Sequence, residues 1–126
     1  MSIYTYTIEV TGATGGAGVA TANATSSEIV NGTIRAIHAL GVDSPPATMD
    51  ITIAGTSTPA TPLFTVANVT IGTGLWYYPM AQAQLNTDGT DITNTGTPIV
   101  VNDLVKVTIA QVNNDDGLTV TLLVER

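Results

Sequence analysis

The feature that most constrains this chain is alternation, because apolar side chains return at every second residue in run after run. Tyr4, Tyr6, Ile8 and Val10 alternate with Thr5, Thr7 and Glu9, and Met49, Ile51 and Ile53 alternate with Asp50 and Thr52. Val105, Val107 and Ile109 alternate with Lys106 and Thr108, and Leu118, Val120, Leu122 and Val124 alternate with Thr119 and Thr121. A period of two gives each strand one face for a core and one for solvent or a neighbour. A surface helix needs apolar positions three and four apart, and no segment sustains that spacing. The nearest candidate, Pro79 to Leu85, is too short to hold as a helix.

The pattern predicts strands near 3–10, 17–25, 28–40, 48–54, 62–67, 75–85, 98–101, 104–112 and 117–125. Turn chemistry separates them. Asn31-Gly32 has the form of a two-residue hairpin turn, and Asn113-Asn114-Asp115-Asp116-Gly117 reads as the loop of a last hairpin. Ser44-Pro45-Pro46 stops the long third run, and prolines interrupt Thr56 to Pro62. Short antiparallel strands with frequent turns predict one all-β domain over 1–126, an antiparallel β-sandwich or jelly-roll-like body of about eight or nine strands. Thr11 to Ala22 is rich in Gly, Ala and Thr and offers little to anchor a core, so a mobile arm or loop is expected within 11–25. The polar stretch Asp88 to Thr97 shows no alternation and reads the same way.

Composition then narrows the function. Hydrophobic residues make up 44% of the 126 residues but charged residues only 10%, against about 25% in ordinary soluble domains. Thr, Asn, Ala and Gly fill the deficit. Charge is depleted in the centres of protein interfaces, and a free monomer ordinarily needs charge to stay dispersed. Large contacts with other subunits are therefore expected, against the alternative of a monomer kept soluble by Thr and Asn alone. The net charge is −7, and the cations are Arg35, Lys106 and Arg126. Three scattered cations argue against a nucleic-acid partner and against binding to an anionic membrane surface. No Cys is present, which removes disulfides, thiolate nucleophiles and cysteine metal sites together. No basic segment followed by an apolar run opens the chain, and no run approaches a membrane helix. Synthesis in a cytoplasm without export through the general secretory route is expected.

The residues that could carry chemistry read as structural. Gly12, Gly15, Gly16 and Gly18 miss the spacing of a dinucleotide loop, and no Lys stands where a phosphate loop requires one. His38 is the single histidine, set between Ile37 and Ala39 without a companion nucleophile. Asp88 and Asp91 near Asn86, and Asp115 with Asp116, offer oxygen-rich loops that could hold calcium. Neither follows the EF-hand pattern, and Asp and Asn favour turns on their own account. No catalytic residue, cofactor site or metal site is assigned. Trp76-Tyr77-Tyr78-Pro79 concentrates most of the aromatic content. Either Trp76 and Tyr78 fill the core while Tyr77 faces out, or the cluster anchors a subunit contact or stacks on a ligand such as a sugar. Tyr4, Tyr6, Trp76, Tyr77 and Tyr78 are the candidate interface residues.

Several stretches resemble a group of small tailed-phage virion proteins. They are Thr33-Ile34-Arg35-Ala36-Ile37-His38, Ser44 to Ile53, Trp76-Tyr77-Tyr78-Pro79 and Pro98 to Glu125. The part from Val105 to Gln111 followed by Gly117 to Leu122 is the most similar. The resemblance implies a non-enzymatic structural protein of the particle, most like a capsid decoration (cement) protein. Such a protein is β-rich and often trimeric, and its partners are the major capsid protein and further copies of itself on the head surface of the virion. Two alternatives remain open: another virion part, such as a tail, head–tail joining or fibre domain, and a carbohydrate-binding or adhesive β-sandwich.

Overall fold

The computed structural model describes residues 2–69, 74–81 and 96–126. Among the described residues eleven strands run in chain order: β1 (Ile3–Val10), β2 (Ala20–Thr25), β3 (Val30–Val42), β4 (Met49–Gly55), β5 (Pro62–Val69), β6 (Leu75–Tyr77), β7 (Met80–Ala81), β8 (Thr97–Pro98), β9 (Val100–Asp103), β10 (Val105–Val112) and β11 (Gly117–Glu125). Two antiparallel sheets carry most of them. The first has the order β1-β11-β3-β6, with β9 also paired to β3, and the second has the order β2-β10-β4-β5. β7 and β8 form a small ribbon of their own.

The alternation read from the sequence sets which side chains enter the core. Ile8, Val10, Leu118, Val120, Leu122, Val124 and Ile37 project from the first sheet. Met49, Ile51, Ile53, Val105, Val107 and Ile109 project from the second and meet them in one buried cluster. Full burial of each such side chain contributes roughly 1.5–3 kcal/mol. β2 faces this core with Ala20, Ala22 and Ala24. These small side chains let the edge of the second sheet lie close to β1.

Four expectations are corrected. Asn31-Gly32 does not turn the chain. Both residues lie inside β3, where Asn31 pairs with Asn102 and Gly32 with Val101. Gly32 has φ 139, and a Cβ there would stand 2.5 Å from the Glu125 carbonyl oxygen, so the glycine allows a close approach of two strands. Asn113 to Gly117 is not a hairpin loop either, because β10 and β11 lie in different sheets. It is a corner between the layers, closed by the Asp116 carboxylate, which accepts the Asn113 N–H at 2.8 Å.

The third concerns how 11–25 lies: the strand expected near 17–25 is present as β2 and the residues before it remain a loop, but that loop packs on the body rather than standing out as an arm. The chain here folds onto the body. Ala13 and Ala20 are fully buried, Thr14 bridges Thr21, the Gly18 N–H donates to Asn113 Oδ1 at 2.9 Å, and 20–25 is strand β2. Fourth, the run 75–85 stops at Tyr77, and β7 resumes it at Met80 and Ala81 beyond Pro79. The remainder of that run, and the Asp88 and Asp91 loop, lie outside the described residues.

The true turn before β3 is built on Ser26. Its hydroxyl donates to the Glu28 carbonyl at 2.8 Å and accepts the Val105 N–H at 3.0 Å, so one side chain both turns the chain and ties it to β10. At the far end of β3, Asp43 and Ser44 take positive φ ahead of Pro45 and Pro46, which ends the strand as the sequence predicts.

Candidate docking face

The site is built on β3 and its short neighbour β6. Ile37 pairs with Tyr77, His38 with Trp76 and Ala39 with Leu75. Neighbouring residues of a strand point to opposite faces. Tyr77 accordingly turns inward and meets Phe64 of the second sheet, with ring centroids 4.6 Å apart. Burial raises the Tyr77 phenol above its ordinary pKa. Trp76 turns outward and is 51% exposed. This reverses the core-filling arrangement the sequence allowed, in which Trp76 and Tyr78 pack inside. Pairing with β3 decides it, because Ile37 is a core residue and carries its partner Tyr77 to the core side.

The indole of Trp76 is held in place. Its ring centroid lies 4.7 Å from that of His38, tilted by 53°. Gly74, at φ 89, passes beneath the imidazole, and a Cβ there would come within 2.7 Å of His38 Nε2. The single histidine thus packs as a support for the single tryptophan. Across the sheet the same row continues in register, His38 with Thr121 and Thr121 with Thr7. The outer face therefore reads Thr7, Thr121, His38, Trp76 from edge to edge.

Leu40 and Val42 continue the same face along β3, and both are exposed. The charged groups of β3 and β11 on this side are Arg35 and Glu125, which neutralise each other. Arg35 Nη2 donates to Glu125 Oε1 at 2.9 Å and Nε to Oε2 at 3.1 Å. The bond from Arg35 holds the Glu125 carboxyl below its ordinary range.

The remaining sequence candidates fall elsewhere. Tyr6 is 7% exposed and belongs to the core, with its hydroxyl accepting from Arg126 Nη2. Tyr4 is exposed, and its ring carries the Arg126 guanidinium 4.1 Å above the centroid. Both tyrosines sit on β1, at the opposite edge from Trp76. Asp115 and Asp116 serve the inter-sheet corner. Asp103 accepts the N–H groups of Thr56 and Ser57 at 2.9 and 2.8 Å, which lowers its pKa, the Ser57 bond most of all. Among the described residues no group of three or more His, Asp or Glu is placed to hold a metal ion. Sequence reasoning passed over the support of Trp76 by His38 and Gly74, which join only through pairing between distant strands.

No family model matches the chain, and no curated protein matches it in sequence. Solved structures are similar in shape. A low-affinity xylan-binding module from the gut symbiont Roseburia intestinalis aligns with a TM-score of 0.53 at 12% identity, over 99% of this chain and 97% of that one. FlhE aligns with a TM-score of 0.51 at 10% identity over the whole of both chains. The fold is a β-sandwich. At such identities the likeness is one of architecture, and it agrees with the all-β sandwich expected from alternation.

Proposed function

We propose that the protein is a non-catalytic structural module of a tailed-phage particle, which decorates the assembled capsid by docking the outer face of its first sheet on neighbouring shell subunits. The observation that carries this reading is Trp76, held half-exposed against His38 on the face that also presents Leu40 and Val42. Rigid aromatic anchors in an apolar surround with few charges are the composition of a protein-docking surface. Covering the open half of the indole, on the order of 100 Å², contributes about 2.5 kcal/mol before ordering costs. Repetition over a shell multiplies a modest contact. The word-level resemblance to virion proteins supports the choice of partner. The test is cosedimentation of purified protein with capsids lacking it: the wild type is expected in the pellet at a stoichiometry tied to the shell, and Trp76→Ala in the supernatant. A wild-type protein that stays in solution refutes the reading.

A second reading has its own support. An exposed indole in register with the threonine hydroxyls of Thr7 and Thr121 combines a stacking surface with hydrogen-bonding groups suited to a sugar. The xylan-binding module shares the fold, so the architectural comparison favours this reading over the capsid one. Retention on insoluble xylan or signal on a glycan array, lost in Trp76→Ala, would select it.

A further inference from the structure

We infer that β1 is a self-pairing edge, at which two copies of this chain join their first sheets antiparallel across a two-fold axis. The observation is a contrast between edges. β5 is blunted by Pro62 at its start, by register shifts at both ends of its pairing with β4 and by Asn68 at positive φ. β2 is short, and Thr14 bonds to Thr21 beside it. β6 and β9 have three and four residues. β1 has none of these protections. It runs eight residues in unbroken register with β11, without proline, lysine or bulge. Long regular edges of this kind pair with another strand unless something prevents it.

The pairing direction is set by which groups face outward. Ser2 and Arg126 exchange both backbone bonds, N–H to carbonyl at 3.4 and 3.1 Å. Alternation along an antiparallel ladder then directs Tyr4, Tyr6, Ile8 and Val10 toward β11, and leaves the N–H and C=O groups of Ile3, Thr5, Thr7 and Glu9 on the open edge. Among the described residues none of those four N–H groups has a backbone acceptor.

The strand is complementary to itself in one register. With Tyr6 opposite Tyr6 of the second copy, Thr5 exchanges bonds with Thr7, and Ile3 with Glu9. Every residue of β1 is then paired, and the one charged residue of the strand meets an isoleucine rather than its own copy. A shift by two residues either way leaves an end unpaired or brings both glutamates nearer the axis. The exposed apolar side chains Ile3 and Tyr4 would be covered in the process. A two-fold contact of this type is closed, so it does not propagate into fibres. It lies across the sheet from Trp76 and leaves the docking face free, so it stands or falls apart from the function proposed above.

The test uses the full chain. Sedimentation velocity at tens of micromolar is expected to show twice the 12.9 kDa chain mass. Thr7→Pro removes an N–H that no described residue of its own chain accepts, and is expected to give a monomer with an unchanged far-UV spectrum. Because the chain has no Cys, the double variant Thr5→Cys/Thr7→Cys reports the register even if the proline variant fails to fold. It should oxidise to a covalent dimer that reductant releases, whereas Thr5→Cys alone should link poorly. A wild-type monomer, a trimer, or a double variant that does not cross-link any better than Thr5→Cys alone overturns the inference.

Discussion

Phe64 of β5 and Tyr77 of β6 stack across the gap between the two sheets, with ring centroids 4.6 Å apart and planes tilted by 45°. The residue before Tyr77 points the other way, so adjacent aromatics serve opposite ends: one closes the open side of the sandwich and the other faces out. Tyr77→Ala should therefore lower unfolding free energy by about 2–3 kcal/mol, the cost of a large-to-small change at a largely packed site. Trp76→Ala should change it by under about 1 kcal/mol, as expected for an exposed position, while abolishing docking. Urea denaturation of the two variants separates these roles.

Ser26 gives a prediction about hydrogen bonding rather than packing. Its hydroxyl is the acceptor for the N–H of Val105, a residue fully removed from solvent. Ser26→Ala leaves that donor buried without a partner, at a cost of about 1–3 kcal/mol. Ser26→Thr keeps the hydroxyl and should recover part of the loss. Thermal melts of the three proteins check it.

Acid should destabilise the fold through Asp103 and Glu125. Bonds from Ser57 and Arg35 respectively hold both carboxyls below their ordinary values. A carboxyl with a lowered folded-state pKa binds fewer protons folded than unfolded. Its stabilisation is complete above the ordinary carboxylate range, near pH 4, and fades as pH falls through the folded-state values. Asp103→Asn should be less stable than wild type at neutral pH, with the difference narrowing in acid. Denaturation midpoints from pH 7 to pH 2 measure both trends.

Gly74 connects backbone geometry to the docking face. At φ 89, and with His38 Nε2 within 2.7 Å of a would-be Cβ, Gly74→Ala is expected to cost about 1–2 kcal/mol for the left-handed backbone alone. It should also push the imidazole away from Trp76. Trp76 is the single tryptophan, so intrinsic fluorescence reads that displacement directly: a red-shifted emission in the folded variant is expected, together with weaker capsid or sugar binding.

What the sequence determined by itself was local. Period-two alternation placed β1, β4, β10 and β11 within a residue or so of their ends, and it determined which residues of each strand share a face. From that the all-β class and the sandwich followed, and Pro45 and Pro46 marked the end of β3. What it could not determine was anything resting on which strand lies beside which. β1 pairs with β11 from the opposite end of the chain, and β3 is flanked by β11, β6 and β9. Those partners, rather than local turn preference, kept Asn31-Gly32 inside a strand and made Asn113 to Gly117 a corner between layers. They likewise folded 11–25 onto the body and turned Trp76 outward by turning Tyr77 in. The reason is that a strand's own residues fix only its alternation. Which face is buried, and whether an Asn-Gly bends or runs on, is decided by backbone bonds to neighbours that only the tertiary fold brings within reach.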